Sequence, residues 1–203
     1  MKKIITNLLL IGILYFPLNP FFSNAYESKT KNKTEKIENS LKDKIPIEDS
    51  LKIKYLSLRE VQSHISKLYI PIKDIPKNYI EKMTIIESGL NIFAINKRSK
   101  AKGLMQILEP TWEDTNSDVP YEKGVFNPRE NLKTGIRYLR NLSFMISKEH
   151  PNWNNITAKE KSSQILAAYN WGIGNLEKNS WNLAKSPKET KNYIKFVTGH
   201  KLN

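Results

Sequence analysis

From residue 51 onward, apolar side chains recur three and four positions apart with polar residues between them. In SLREVQSHISKLY, residues 57–69, Leu58, Val61, Ile65 and Leu68 share one face, which predicts an amphipathic helix. Pro71 and Pro76 punctuate the chain before a second helical segment. That segment runs up to Gly89 and sets Ile80, Met83, Thr84 and Glu87 in line. Between Asn131 and Lys148 a stripe of Leu132, Ile136, Leu139 and Ile146 predicts a longer helix. Thr157-Ala158-Lys159-Glu160 reads as a capping box opening a helix that carries Ile165, Leu166, Ala168 and Tyr169. Ser186-Pro187-Lys188-Glu189 reads as a second box, with Pro187 at the first helical position and Gly199 placed to end that helix. No run alternates convincingly as a strand would, and no segment repeats. The pattern predicts a mainly α domain over residues 51–203, with irregular loops around 92–104 and 115–128.

The first fifty residues depart from this pattern. Lys2 and Lys3 precede an apolar stretch from Ile4 to Phe16, then Pro17, Pro20 and Ser23-Asn24-Ala25. A charged start, an apolar run too short to span as a stable helix and a small-residue end make residues 1–25 an export signal, with Tyr26 the mature start. The alternative is an uncleaved membrane anchor. Residues 26–50, YESKTKNKTEKIENSLKDKIPIEDS, are polar, mixed in charge and almost free of aromatics, which suits a flexible spacer. Export places the domain in the periplasm or cell envelope.

Composition narrows the chemistry. The chain has no cysteine, hence no disulfide, thiol nucleophile, thiolate metal ligand or lipoprotein anchor. His64, His150 and His200 lie far apart, without metal-ligand spacing, and read as dispersed surface residues. No metal or cofactor is expected. Net charge is +13, and residues 51–203 carry 25 basic residues against 14 acidic ones. An exported basic domain meets anionic envelope polymers and phospholipid headgroups, although solubility alone also accounts for such an excess. Nucleic acid is not an expected partner, because no nucleic-acid motif accompanies the charge.

One carboxylate stands out. Glu87 follows Ile85 and Ile86 and shares a face with core positions at the C-terminal end of its helix. Burial and the negative end of the helix dipole both disfavour its ionised form. A carboxylic acid that keeps its proton near neutral pH can deliver it to a leaving group. On pattern alone, a partly exposed structural glutamate is the competing reading.

The residues around Glu87 bear a family resemblance. Glu87-Ser88-Gly89-Leu90-Asn91, Ala94, Gly103-Leu104-Met105-Gln106-Ile107 and Pro110-Thr111 resemble the first half of an SLT-type lytic transglycosylase domain. Asn127-Pro128, Asn131-Leu132, Gly135 and Tyr138-Leu139 continue it. Ala167-Ala168-Tyr169-Asn170-Trp171-Gly172-Ile173-Gly174 is similar to the family's Ala-Tyr-Asn-x-Gly-x-Gly motif, and Glu189-Thr190 with Tyr193 to its closing Glu-Thr-x-x-Tyr. The motifs occur in the family's order across about residues 78–197.

The resemblance implies a lysozyme-like α fold with a glycan groove, acting on the MurNAc–GlcNAc bond of peptidoglycan. Glu87 matches the sole catalytic acid, and substrate-assisted glycosidases dispense with a second carboxylate. In the family the substrate's acetamido group stabilises the cationic centre, and the same glutamate then activates the 6-hydroxyl, giving a 1,6-anhydro product. Ser88 belongs to the motif of the acid and is expected, with Asn96, to bind the substrate. Gly103, Leu104 and Gln106 match the strip beside the cleavage site, with Gln106 bonding the sugar's N-acetyl or hydroxyl groups and Met105 packing in the core. Tyr169 and Asn170 match groove residues, while Tyr169 equally suits a buried aromatic with a satisfied hydroxyl. Glu189 matches a groove glutamate, although a capping box by itself accounts for it. Of the four tryptophans, Trp171 is the one expected to stack on sugar.

There are departures. Asn96 stands where the family has a serine that helps to hold the catalytic carboxyl, so Asn96 or Ser99 must substitute. Lys100 replaces a glycine, one residue is inserted, and Ile173 replaces a frequent proline. The competing functions are a hydrolytic lysozyme of the same fold and a non-catalytic wall-binding or assembly protein. Wall turnover, cell separation and local opening of peptidoglycan for a secretion apparatus are all compatible with the sequence.

Overall fold

The computed structural model describes residues 54–200 apart from residue 117. The signal assigned to residues 1–25 and the spacer at 26–50 lie outside the described residues. The elements are α1 (Leu58–Leu68), α2 (Lys77–Ser88), α3 (Glu109–Thr115), α4 (Tyr121–Gly124), α5 (Pro128–Glu149), α6 (Ala158–Trp171), α7 (Ile173–Lys178) and α8 (Lys188–Thr198), with 3₁₀ turns at Trp153–Asn155 and Leu183–Lys185. Among the described residues there are only isolated β-bridges and no strand, as the helical periodicity predicts.

Helix α6 is the centre. Every residue from Ser162 to Ala168 is buried, and α5, α7 and α8 pack around it. Its capping box forms as predicted: Glu160 N–H donates to Thr157 Oγ1 at 3.2 Å, and Thr157 N–H donates to Glu160 Oε2 at 2.8 Å. Helix α5 begins at Asn127, whose Oδ1 accepts from Arg129 and Glu130 N–H, and it buries the predicted stripe of Leu132, Ile136, Leu139 and Ile146. Helix α1 buries Val61 and Ile65, but Leu58, in its first turn, is 41% exposed rather than part of the packed face. The predicted loop at 115–128 contains the short helix α4.

Helix α2 carries the candidate acid and leans on α1 and α8. Lys82 Nζ donates to Val197 O at 2.9 Å, so a cation of α2 satisfies a carbonyl in the last turn of α8. Gly89 ends α2 in the left-handed region (φ 59°, ψ 32°), where glycine carries no Cβ penalty.

The second predicted capping box does not form. Helix α8 starts at Lys188 with Pro187 in the cap position, and no side chain caps it. Ser186 therefore lies one residue before the cap, its hydroxyl buried without a partner, and Glu189 falls at the second helical position rather than the third. A proline set in the cap itself shifts the frame by one residue. Gly199 ends the helix as expected, with φ 78° and ψ 6°.

Candidate active site

The face of α2 made by Ile80, Met83 and Thr84 is buried, and Glu87 continues it toward the helix end. The residue retains partial solvent access, yet its carboxyl is set deeply enough to lose most of its hydration. Burial pushes it from 4.5 to about 8; the Tyr193 hydroxyl pulls it back down, and the charge of Glu189 pushes it further up. Tyr193 is buried on α8, and its hydroxyl has no hydrogen-bond partner of ordinary geometry. It is nevertheless near enough to Glu87 for its O–H to favour the ionised carboxyl. Burial first, then the charge of Glu87, raises the pKa values of Tyr193 and Tyr169 well above the ordinary phenol value, so both remain donors. Three helices thus bring Glu87, Tyr169, Tyr193 and Glu189 together.

The loop 101–107 runs beside this cluster and hangs from one buried amide. Asn131, fully buried on α5, accepts Met105 N–H at 2.8 Å through Oδ1 and donates through Nδ2 to Val125 O at 2.8 Å and Lys102 O at 3.2 Å. From α6, Tyr169 O–H donates to Met105 O at 2.8 Å. Tyr169 also packs on Tyr138 with ring centroids 5.4 Å apart. Its hydroxyl is therefore satisfied, as the buried-aromatic reading required, although the residue stays partly exposed and senses Glu87.

Several residues expected to touch substrate do other things. Leu104 is fully buried in the core beside Met105 and presents nothing to a groove. Gly103 (φ 79°) is small for packing: a Cβ there would collide with Asn131 Nδ2 and Val125 O. Gln106 Nε2 donates to Gly103 O at 2.9 Å and Ala94 O at 3.3 Å, leaving its Oε1 as the atom available to a ligand. Ser88 Oγ donates to Thr84 O on its own helix at 3.1 Å.

Neither candidate for the missing serine reaches the carboxyl. Asn96 is exposed, and its Oδ1 accepts from Arg98 and Ser99 N–H at 3.0 Å each, closing a local turn. Ser99 Oγ accepts from Ala101 N–H at 3.3 Å. The polar neighbour of Glu87 is Tyr193 instead. Lys100, in the glycine position, adopts φ 66°, a left-handed conformation that costs a side chain about 1–2 kcal/mol.

Asn170 Oδ1 accepts Thr190 O–H at 2.7 Å and ties α6 to the first turn of α8. Glu189 next to it is exposed and makes no capping bond, which leaves its charge facing Glu87. Trp112 and Trp153 are core residues, whereas Trp171 is only partly buried. His150, read as a surface residue, sits partly buried between Trp153 (centroids 5.9 Å) and Trp181 (5.2 Å), and burial lowers its pKa. Sequence reasoning missed Tyr193 and Asn131 as parts of the site. Both stood inside recognised motifs, and what neither motif reveals is which atom each side chain faces.

A helical domain that shields an acid at the end of one helix with tyrosines from two others is arranged to keep a single carboxyl protonated. The comparison with protein families makes this specific: residues 69–194, more than half of the chain, match the transglycosylase SLT domain. The chain belongs to that family, which implies peptidoglycan as its substrate. No curated protein sequence matches it.

Proposed function

We propose that the protein is an exported peptidoglycan lytic transglycosylase that cleaves the MurNAc–GlcNAc β-1,4 bond and leaves a 1,6-anhydroMurNAc end, with Glu87 as general acid and then base. The observation that carries this reading is the Glu87 carboxyl, which burial holds protonated at neutral pH with a pKa of about 8. A protonated carboxyl donates to the departing glycosidic oxygen as the C–O bond breaks. The acetamido carbonyl of the same sugar closes on the anomeric carbon and carries the positive charge. Glu87, now a carboxylate, takes the proton of the 6-hydroxyl as that oxygen displaces the acetamido group, which restores the acid. No water enters the balance, and the glycan is cut without hydrolysis.

Tyr193 donates toward the carboxylate while it lacks its proton, whereas Glu189 opposes that charge and drives the return of the acid. Gln106 Oε1 and the partly exposed Trp171 are the groove positions left for the sugar. The export-signal pattern of residues 1–25 supports an envelope location, where this substrate is found. Mass analysis of muropeptides released from purified peptidoglycan tests the reaction: anhydro ends lighter by one water are expected, and reducing ends would instead make the enzyme a hydrolytic lysozyme.

A further inference from the structure

Helix α5 has a second polar face, about half a turn around the helix from Tyr138 and therefore turned away from the Glu87 cluster. Arg129, Lys133, Arg137 and Arg140 form a stripe along it, and with Lys67 from the end of α1 they line a cleft of about 380 Å³. Asp118 lies 3.5 Å from Lys133 and 3.4 Å from Arg137, and Glu130 lies 3.1 Å from Lys133. Among the described residues Arg129, Arg140 and Lys67 have no acidic partner, so the face keeps a cationic excess. Charge is only half of its chemistry. Ile70, which lines the same cleft, is 58% exposed, and Phe144, one turn beyond Arg140, is 64% exposed.

We propose that this face docks the domain on the surface of an anionic lipid bilayer. Cations in a row along one helix, about 22 Å from Arg129 to Phe144, can meet a plane of negative headgroups together. Phe144 and Ile70 then enter the interfacial layer beside them, as the apolar residues of surface-bound amphipathic helices do. A soluble polyanion would reward the cations but leave both apolar side chains in water. Among the described residues no helix is long and apolar enough to cross a membrane. Docked this way, the side of α5 bearing Tyr138 and the Glu87 cluster faces away from the lipid, toward whatever glycan lies above it. The docking itself does not depend on the proposed reaction.

The test is co-sedimentation of the full chain with phosphatidylglycerol-containing vesicles, compared with pure phosphatidylcholine, at low and high salt. Three proteins are compared: the parent, Arg129→Gln/Arg140→Gln and Ile70→Ser/Phe144→Ser, each with its thermal midpoint checked. Residues 1–25 are common to all three, so differences report on the face. Salt-sensitive binding to the anionic vesicles is expected, weakened about fivefold for each arginine neutralised and about tenfold or more for the Ile70/Phe144 pair. Equal binding by all three proteins, or equal binding to phosphatidylcholine, would overturn the proposal. So would binding to vesicles and to soluble polyphosphate that needs the arginines but not Phe144 and Ile70, which would make the face a polyanion site.

Discussion

Glu87 and Glu189 have the same side chain, sit on neighbouring helices and lie close enough for the charge of Glu189 to act on Glu87, yet the fold treats them in opposite ways. Glu87 is placed at the C-terminal end of α2, where the helix dipole and the loss of water both oppose ionisation. Glu189 is placed in the first turn of α8, exposed, where the dipole favours a negative charge. Position alone sets one carboxyl where ionisation is opposed and the other where the helix dipole favours negative charge. The pair also differs in reach: Glu87 is built into a cluster of buried phenols, whereas Glu189 acts on it from the rim.

Substitution of each glutamate by glutamine separates the two roles most sharply at Glu87. Glu87→Gln keeps the shape but can neither donate a carboxyl proton nor act as base, and turnover should fall by about a hundredfold to ten-thousandfold. Near-normal cleavage by a folded Glu87→Gln protein would end the mechanism. The same variant carries a stability signature. The folded pKa of Glu87 is raised, so the native state binds more protons than the unfolded chain between about 4.5 and 8, and stability falls as pH rises through that window. Glu87→Gln should therefore gain on the parent from pH 5 to pH 8, by at most about 1.4 kcal/mol per pH unit and by less in proportion to the residue's partial solvent access. Thermal melts across that range would contradict the burial argument if the two proteins ran parallel.

Tyr193→Phe tests the phenol beside Glu87. Without the hydroxyl the carboxyl loses the group that pulls its pKa down, so the alkaline limb of the activity profile should move upward while turnover drops about tenfold, the worth of one hydrogen bond to a charged group. An unmoved limb would reduce Tyr193 to packing. Glu189→Gln should do least to turnover and shift the limb the other way, since a negative charge that raises the pKa of Glu87 is gone. A loss as large as that of Glu87→Gln would mean that both carboxyl groups take part in the chemistry.

Much of this arrangement was legible in the sequence, and what was not follows a physical pattern. Helical spacing placed Ile80, Met83, Thr84 and Glu87 on one face because the period of a helix is local. The Thr157 capping box was equally local and formed. The Ser186 box failed because a proline took the cap position and displaced Glu189 by one place, a boundary that composition does not fix. The strip at Gly103, Leu104 and Gln106 was read as lining the groove, but adjacency to a site does not say which way a side chain points. Gly103 makes room for Asn131, Leu104 fills the core, and Gln106 spends its Nε2 on backbone and keeps only Oε1 for a ligand. Asn96 was asked to hold the carboxyl and instead closes its own turn, the usual occupation of a loop asparagine. Tyr193 could be seen only as the end of a motif, since its approach to Glu87 depends on how α8 packs against α2.

That packing has a consequence in time. Glu87 is synthesised early, while Tyr169, Glu189 and Tyr193 follow some eighty to a hundred residues later. These are non-local contacts, formed only after long loops have closed, and such contacts tend to set the pace of folding. In the unfolded chain Glu87 is a hydrated carboxylate titrating in the ordinary range. Its raised pKa is a property of the assembled helices rather than of the residue, so the ionisation of a single side chain reports whether the native packing around it is complete.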